Sequence, residues 1–160
     1  MTLSFYRLMW LLPIAFALHV GEEYIWGFPA WATRVTGYPM DLMIFLGSNL
    51  AFIALMVLLT RHASLAHTAR ANFWLLAWAA GNLFWNFVFH LLCLLMLDLT
   101  SPGLVTATLV YLPLSLLIWW AALRQKAISS VALVGAIALG GLFMGMVAAV
   151  GIFHVGGLGA

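Results

Sequence analysis

Five apolar stretches, each long enough to cross a bilayer, divide this chain of 160 residues and leave little between them. They cover about 8–27, 40–60, 71–97, 104–123 and 128–153. In hydrocarbon a backbone must satisfy its own hydrogen bonds, so a span of roughly 20 apolar residues reads as a helix. Only 6% of residues are charged and 66% are hydrophobic, whereas soluble domains carry about a quarter charged residues. The expected fold is therefore all-α: one integral membrane bundle of five transmembrane helices, a single domain over 1–160. Arg7 ahead of an apolar run resembles the start of a leader. A leader core is short and uncharged, however, and this run holds His19, Glu22 and Glu23, so it is expected to be a retained first span.

The connections are read as follows. Pro13 is expected to kink the first span. Residues 28–39, with Trp31 and Tyr38, read as an interfacial loop with aromatic anchors. Residues 61–70 form a polar loop with solvated His62 and His67, Ser101-Pro102-Gly103 a turn, and Arg124-Gln125-Lys126 a loop. Asp41 and Asp98 read as helix-end residues. With five spans, Arg7, Arg61, Arg70, Arg124 and Lys126 share one face and Arg34 stands alone on the other. The positive-inside rule then predicts a cytoplasmic N-terminus and an outside C-terminus. A net charge of +2, so dispersed, excludes a nucleic-acid surface. Cys93 is the single cysteine, which leaves no disulfide framework and reads as a small buried hydrophobe. The fifth span is rich in small residues, with Gly141 and Gly145 in a GxxxG pair. That pattern favours close packing within the bundle, with a homodimer seam as the other use.

Against this apolar background the polar residues stand out. His19, Glu22, Glu23 and Trp26 fall at i, i+3, i+4 and i+7, one face of a helix. Charge inside a span is costly and marks a site hypothesis. Adjacent buried carboxylates cannot easily both be ionised in low dielectric. On the third span Trp78, Asn82, Asn86 and His90 repeat every four residues. Counting about 1.5 Å per residue places His19, Glu22, Glu23, Ser48, Asn49, Asn86, His90, Thr106, Thr108 and Tyr111 in the same half of the bilayer, the outer one, with His154 at its boundary. One shared polar pocket accounts for this better than five separate accidents.

The motif His19-x-x-Glu22-Glu23, the segment Phe28-Pro29-Ala30-Trp31, the pair Asn86-x-x-x-His90 and the turn Ser101-Pro102-Gly103 together resemble the HXXEE-motif integral membrane proteins. The resemblance covers essentially the whole chain. It implies a small multi-span protein of the bacterial inner membrane, suspected of being an enzyme, with His19, Glu22, Glu23, Asn86 and His90 as its site.

Three chemistries suit these residues. The first is acid–base catalysis by His and Glu on a lipophilic small molecule or lipid, of the isomerase or cyclase type. Tyr24, Trp26, Trp85, Phe89 and Tyr111 would supply aromatic surfaces for it, and Asn49 and Asn82 polar contacts. The second adds one divalent transition metal, Zn or Fe, drawn from His19, Glu22, Glu23, His90 and His154, for hydrolysis or oxidation. A di-iron centre needs more carboxylates than are present. The third is a proton-coupled transporter or a non-catalytic small-molecule or ion-binding protein, since His/Glu clusters also relay protons. A conduit would continue polar residues to the cytoplasmic side, and these stop midway. The enzyme is therefore the reading adopted, with membrane lipids as its surroundings.

Overall fold

The structure is a computed structural model and describes residues 4–97 and 100–152. Among these residues there are no strands, and five helices are long and apolar enough to cross a membrane. The long helices are α1 (Phe5–Ile25), α3 (Leu42–Ala66), α4 (Ala69–Met96), α5 (Leu104–Arg124) and α6 (Ser130–Val150). A shorter helix, α2 (Phe28–Thr36), joins α1 to α3. The most buried helix, α4, packs against α3, α5 and α6, while α1 rests on α3 and α5. The core they enclose contains Phe5, Leu12, Met56, Leu75, Leu83, Tyr111 and Ile118.

Several local expectations are corrected. The break in α1 falls at Met9–Trp10, not at Pro13. A proline ring clashes with the carbonyl four residues earlier and withholds the hydrogen bond to it, so the helix yields one turn upstream. Residues 28–36 are helical rather than loop, and Phe28, Trp31 and Ala32 are buried with Phe45 and Cys93. Trp31 is thus a packing residue, while Tyr38 is exposed. Helix α3 runs on through Ala66, so the polar loop shrinks to His67 and Thr68. His67 stacks on Tyr6 at 3.9 Å between ring centroids. Asp41 does end a helix, accepting hydrogen bonds from Met43 N (2.6 Å) and Ile44 N (3.0 Å) at the start of α3. Asp98 and His154 lie outside the described residues.

Helices α4 and α6 cross backbone to backbone. A methyl group placed on Gly140 would sit 2.6 Å from the Ala77 carbonyl oxygen and from Gly81 N. Gly141 lies under the Trp85 ring, whose Nε1 donates to the Ile137 carbonyl at 2.8 Å. Gly145, by contrast, meets nothing within 4 Å. The contact therefore runs through Gly81 and Gly140, with Gly141 receiving the indole. Since backbone atoms cannot swing aside like a flexible side chain, Gly140→Ala is expected to cost about 3 kcal/mol, the upper end for overpacking. Reversible unfolding in mixed micelles checks this; wild-type stability would refute the crossing.

Candidate functional site

Three segments that meet at one end of the bundle build the site: the last turns of α1, the last turns of α4 and the turn leading into α5. His19 and His90 are fully buried and Glu23 is 5% exposed. The Glu23 Oε1 atom lies 3.4 Å from His19 Nε2 and 3.6 Å from His90 Nε2. Neither contact has hydrogen-bond geometry, so both imidazole nitrogens are buried without a hydrogen-bond partner. The two imidazoles stand edge to face, 5.1 Å between centroids.

Each ring is held from behind by a hydroxyl. His19 Nδ1 lies 2.8 Å from Thr106 Oγ1, and His90 Nδ1 lies 2.7 Å from Ser101 Oγ. Thr106 Oγ1 also donates to the Gly103 carbonyl at 3.3 Å. One arrangement satisfies both contacts: Thr106 donates to the Gly103 carbonyl and accepts from His19 Nδ1–H, and Nε2 is then a lone pair on the side of Glu23. The Tyr111 ring packs tilted against His19, 4.4 Å between centroids, and is fully buried.

The two glutamates of the motif do different things. Glu22 accepts from Val105 N at 3.2 Å and from Thr106 N at 2.7 Å, one with each carboxylate oxygen. The N-cap of α5 is Gly103, which has no side chain to cap it. Glu22 thus supplies from α1 the acceptors that an N-cap residue normally provides, and its charge faces the positive end of the α5 dipole. Glu23, one residue on, points instead to the imidazoles.

Beside this cluster opens a cavity of about 510 Å³. His19 and Glu23 contribute to its wall, with Asn82, Asn86 and Phe89 from α4. Phe45, Ser48, Asn49 and Phe52 line it from α3, and Phe143, Met144, Val147 and Val150 from the last turns of α6. Phe52, Phe143 and Trp78 pack ring on ring at the edge of this space. Ile44 and Met146, both wall residues, are more than half exposed, and the wall also includes the exposed Pro39 and Asp41 ahead of α3, so the cavity opens where the start of α3 faces the end of α6.

The stride of four along α4 is kept in register by its backbone. On an α-helix, steps of four drift by about 40° each. Residues Ala80–Trp85 form a wider π turn, which takes back part of that drift. Asn82 and Asn86 consequently line the same cavity, and His90 reaches the Glu23 carboxylate.

Of the expected site residues, the structure gathers His19, Glu23 and His90 at the centre, with Asn49, Asn82 and Asn86 along the cavity. Tyr111 packs against His19, away from the cavity wall. Tyr24 and Trp26 are 52% and 72% exposed. Tyr24 follows Glu23 by about 100° around the helix, and Trp26 lies past the end of the helical segment at Ile25, so the i+7 extrapolation stops short of it. Trp85 binds α4 to α6 rather than lining the cavity. Sequence reasoning gave no role to Ser101, Gly103 or the Thr106 hydroxyl, although the Ser-Pro-Gly turn and the depth of Thr106 pointed to this region.

A metal ion would find its donors here. His19, Glu23 and His90 each offer one ligand atom, all within 4.8 Å of one another. Glu22, with both oxygens engaged by α5, is not among them.

No curated protein and no solved structure matches the chain. A family model described as "Protein of unknown function with HXXEE motif" matches residues 10–118. That range contains the whole cluster and both supporting hydroxyls, and it ends before α6, which lines the cavity from the other side. By that match over more than half its length, the chain belongs to the HXXEE-motif family.

Proposed function

We propose that this protein is a membrane-embedded enzyme acting on a lipophilic small molecule or lipid, with His19, Glu23 and His90 as its acid–base centre. One observation carries the reading: a largely apolar cavity of about 510 Å³, open where the start of α3 faces the end of α6, has a buried carboxylate and imidazole in its wall. Pockets of a few hundred Å³ with apolar walls and few convergent polar groups suit small-molecule ligands. A lipophilic molecule enters between α3 and α6 and turns its reactive end towards Glu23. The Asn86 Oδ1, buried and without a partner, orients a donor group on it. Glu23 takes or returns the proton, with the two imidazole Nε2 atoms 3.4 and 3.6 Å from its carboxylate. Glu22 is a positioning residue, since it fixes the start of α5 and with it Thr106 behind His19.

At the opposite end, the buried Asn72 donates to Tyr6 Oη at 3.3 Å and to the Ala127 carbonyl at 2.8 Å. That is a latch between chain segments and not a continuing proton path, which favours catalysis over transport. Arg7, Arg61, Arg70, Arg124 and Lys126 lie towards this end, which by the positive-inside rule supports an orientation with the catalytic cluster in the outer half of the bilayer.

The test is lipid extraction and mass spectrometry of the purified protein. Wild type is expected to carry a lipophile that Val147→Trp, which fills the cavity from α6, loses without loss of folding. Equal lipid content in the two proteins, with no difference in cellular lipids between wild type and Glu23→Gln, would sink the reading.

A further inference from the structure

We propose that His19 Nε2, His90 Nε2 and Glu23 Oε1 bind one divalent transition-metal ion, whose remaining coordination position faces the cavity. Buried polar atoms are ordinarily hydrogen-bonded, and exceptions call for a reason. Here two fully buried imidazole nitrogens lack a partner, and both are aimed at the same carboxylate oxygen. Metal bonds of about 2.0–2.1 Å at tetrahedral angles put neighbouring ligand atoms about 3.3 Å apart. The two carboxylate–imidazole separations, 3.4 and 3.6 Å, are within a few tenths of that figure. The three ligand atoms all lie within 4.8 Å of one another.

The surroundings fit a metal site as well as the donors do. A ligating histidine usually donates its other ring N–H to an acceptor that fixes tautomer and orientation. Thr106 Oγ1 and Ser101 Oγ stand at those two positions, and the arrangement in which Thr106 donates to Gly103 O makes His19 Nε2 the lone pair a metal requires. Two imidazoles and one carboxylate are the ligand set of catalytic zinc and non-haem iron sites, which keep a position open for water or substrate. Glu23 and His19 belong to the cavity wall, so that position faces the cavity. Glu22 plays no part as a ligand. The catalytic use of the ion rests on the enzyme reading above, whereas its binding does not. An ion held by these three residues would supply Lewis-acid chemistry, and Glu23 would then serve as its ligand rather than as the acid–base group.

The experiment loads the detergent-purified full chain with Zn(II) or Co(II), removes excess ion and measures metal content, with visible absorption for Co(II). Wild type and Glu22→Gln are expected to hold about one equivalent; His19→Asn, His90→Asn and Glu23→Ala are expected to hold under about a tenth. Ser101→Ala and Thr106→Ala, folded by size-exclusion and circular dichroism, should bind about 10–100-fold more weakly. A non-specific cation patch would not show that loss. Wild type that stays empty in excess Zn(II), or histidine variants that stay loaded, overturns the metal site. Should that protein still convert lipid in a Glu23-dependent way, the enzyme reading stands without the ion. A loaded protein whose cavity never holds a lipophile and whose cells show no Glu23-dependent lipid change keeps the ion and removes the enzyme.

Discussion

Glu23→Gln is expected to abolish turnover, by about a thousandfold or more, while the protein folds as before; Glu22→Gln is expected to retain most of its turnover. General acid–base groups contribute about 10²–10⁴-fold, and Glu23 is the only carboxylate within reach of both imidazoles among the described residues. The amide has the same size, so the packing around a side chain 5% exposed is kept. What it lacks is the negative charge and the basic oxygen, whether for a proton or for a metal ion. At position 22 an amide oxygen can still accept from Thr106 N. That variant loses one of two acceptors and the attraction to the α5 dipole, worth about 1 kcal/mol of stability. Lipid profiles from cells expressing each variant, alongside thermal unfolding in detergent, make the comparison. Equal loss of turnover in both would mean that the doublet acts as a unit, contrary to the division of roles drawn from the geometry.

Gly103→Ala is expected to be the most damaging addition of a single methyl group to the site. The backbone at Gly103 has φ +99°, a region that L residues occupy at a cost of about 1–3 kcal/mol. The added methyl would also lie 2.7 Å from His19 Cε1, 2.8 Å from His90 Cε1 and 2.9 Å from Glu23 Cγ. All three members of the cluster would have to move at once. None can retreat easily, because the imidazoles are tied from behind to Thr106 and Ser101. A loss of about 3 kcal/mol is expected, combining backbone strain with overpacking, together with loss of both turnover and metal. Proline at the neighbouring position 102 already restricts the turn, so relief by backbone movement is small. A Gly103→Ala protein with wild-type unfolding and metal content would show that the turn does not seat the cluster as described.

The five spans and the neighbourhood of the site were legible in the sequence, because both follow from local rules. A run of apolar residues long enough to cross hydrocarbon has one good backbone solution, and a fixed rise per residue assigns each polar group a depth. That was sufficient to bring His19, Glu23, Asn49, Asn82, Asn86 and His90 together from three spans. It also led to counting Trp26 in, because periodicity alone cannot tell that α1 ends at Ile25.

What tertiary structure decided was which way each group faces and what stands behind it. Glu22 and Glu23 are neighbours in the chain with identical chemistry, and only the arrival of the uncapped α5 beside Glu22 separates a helix cap from a site carboxylate. Ser101 and Thr106 are ordinary hydroxyl residues until the turn at Gly103 brings them against the two imidazoles. The wide turn in α4, and the crossing of α4 and α6 at Gly81 and Gly140, depend on how whole helices pack. The sequence by itself determined the five long helices and which polar side chains share one end of the bundle, though not the helix over Phe28–Thr36, since periodicity and transfer energy act within one segment. The roles were decided by contacts between different helices, such as that from Glu22 to Thr106, 84 positions apart, and no local rule contains those.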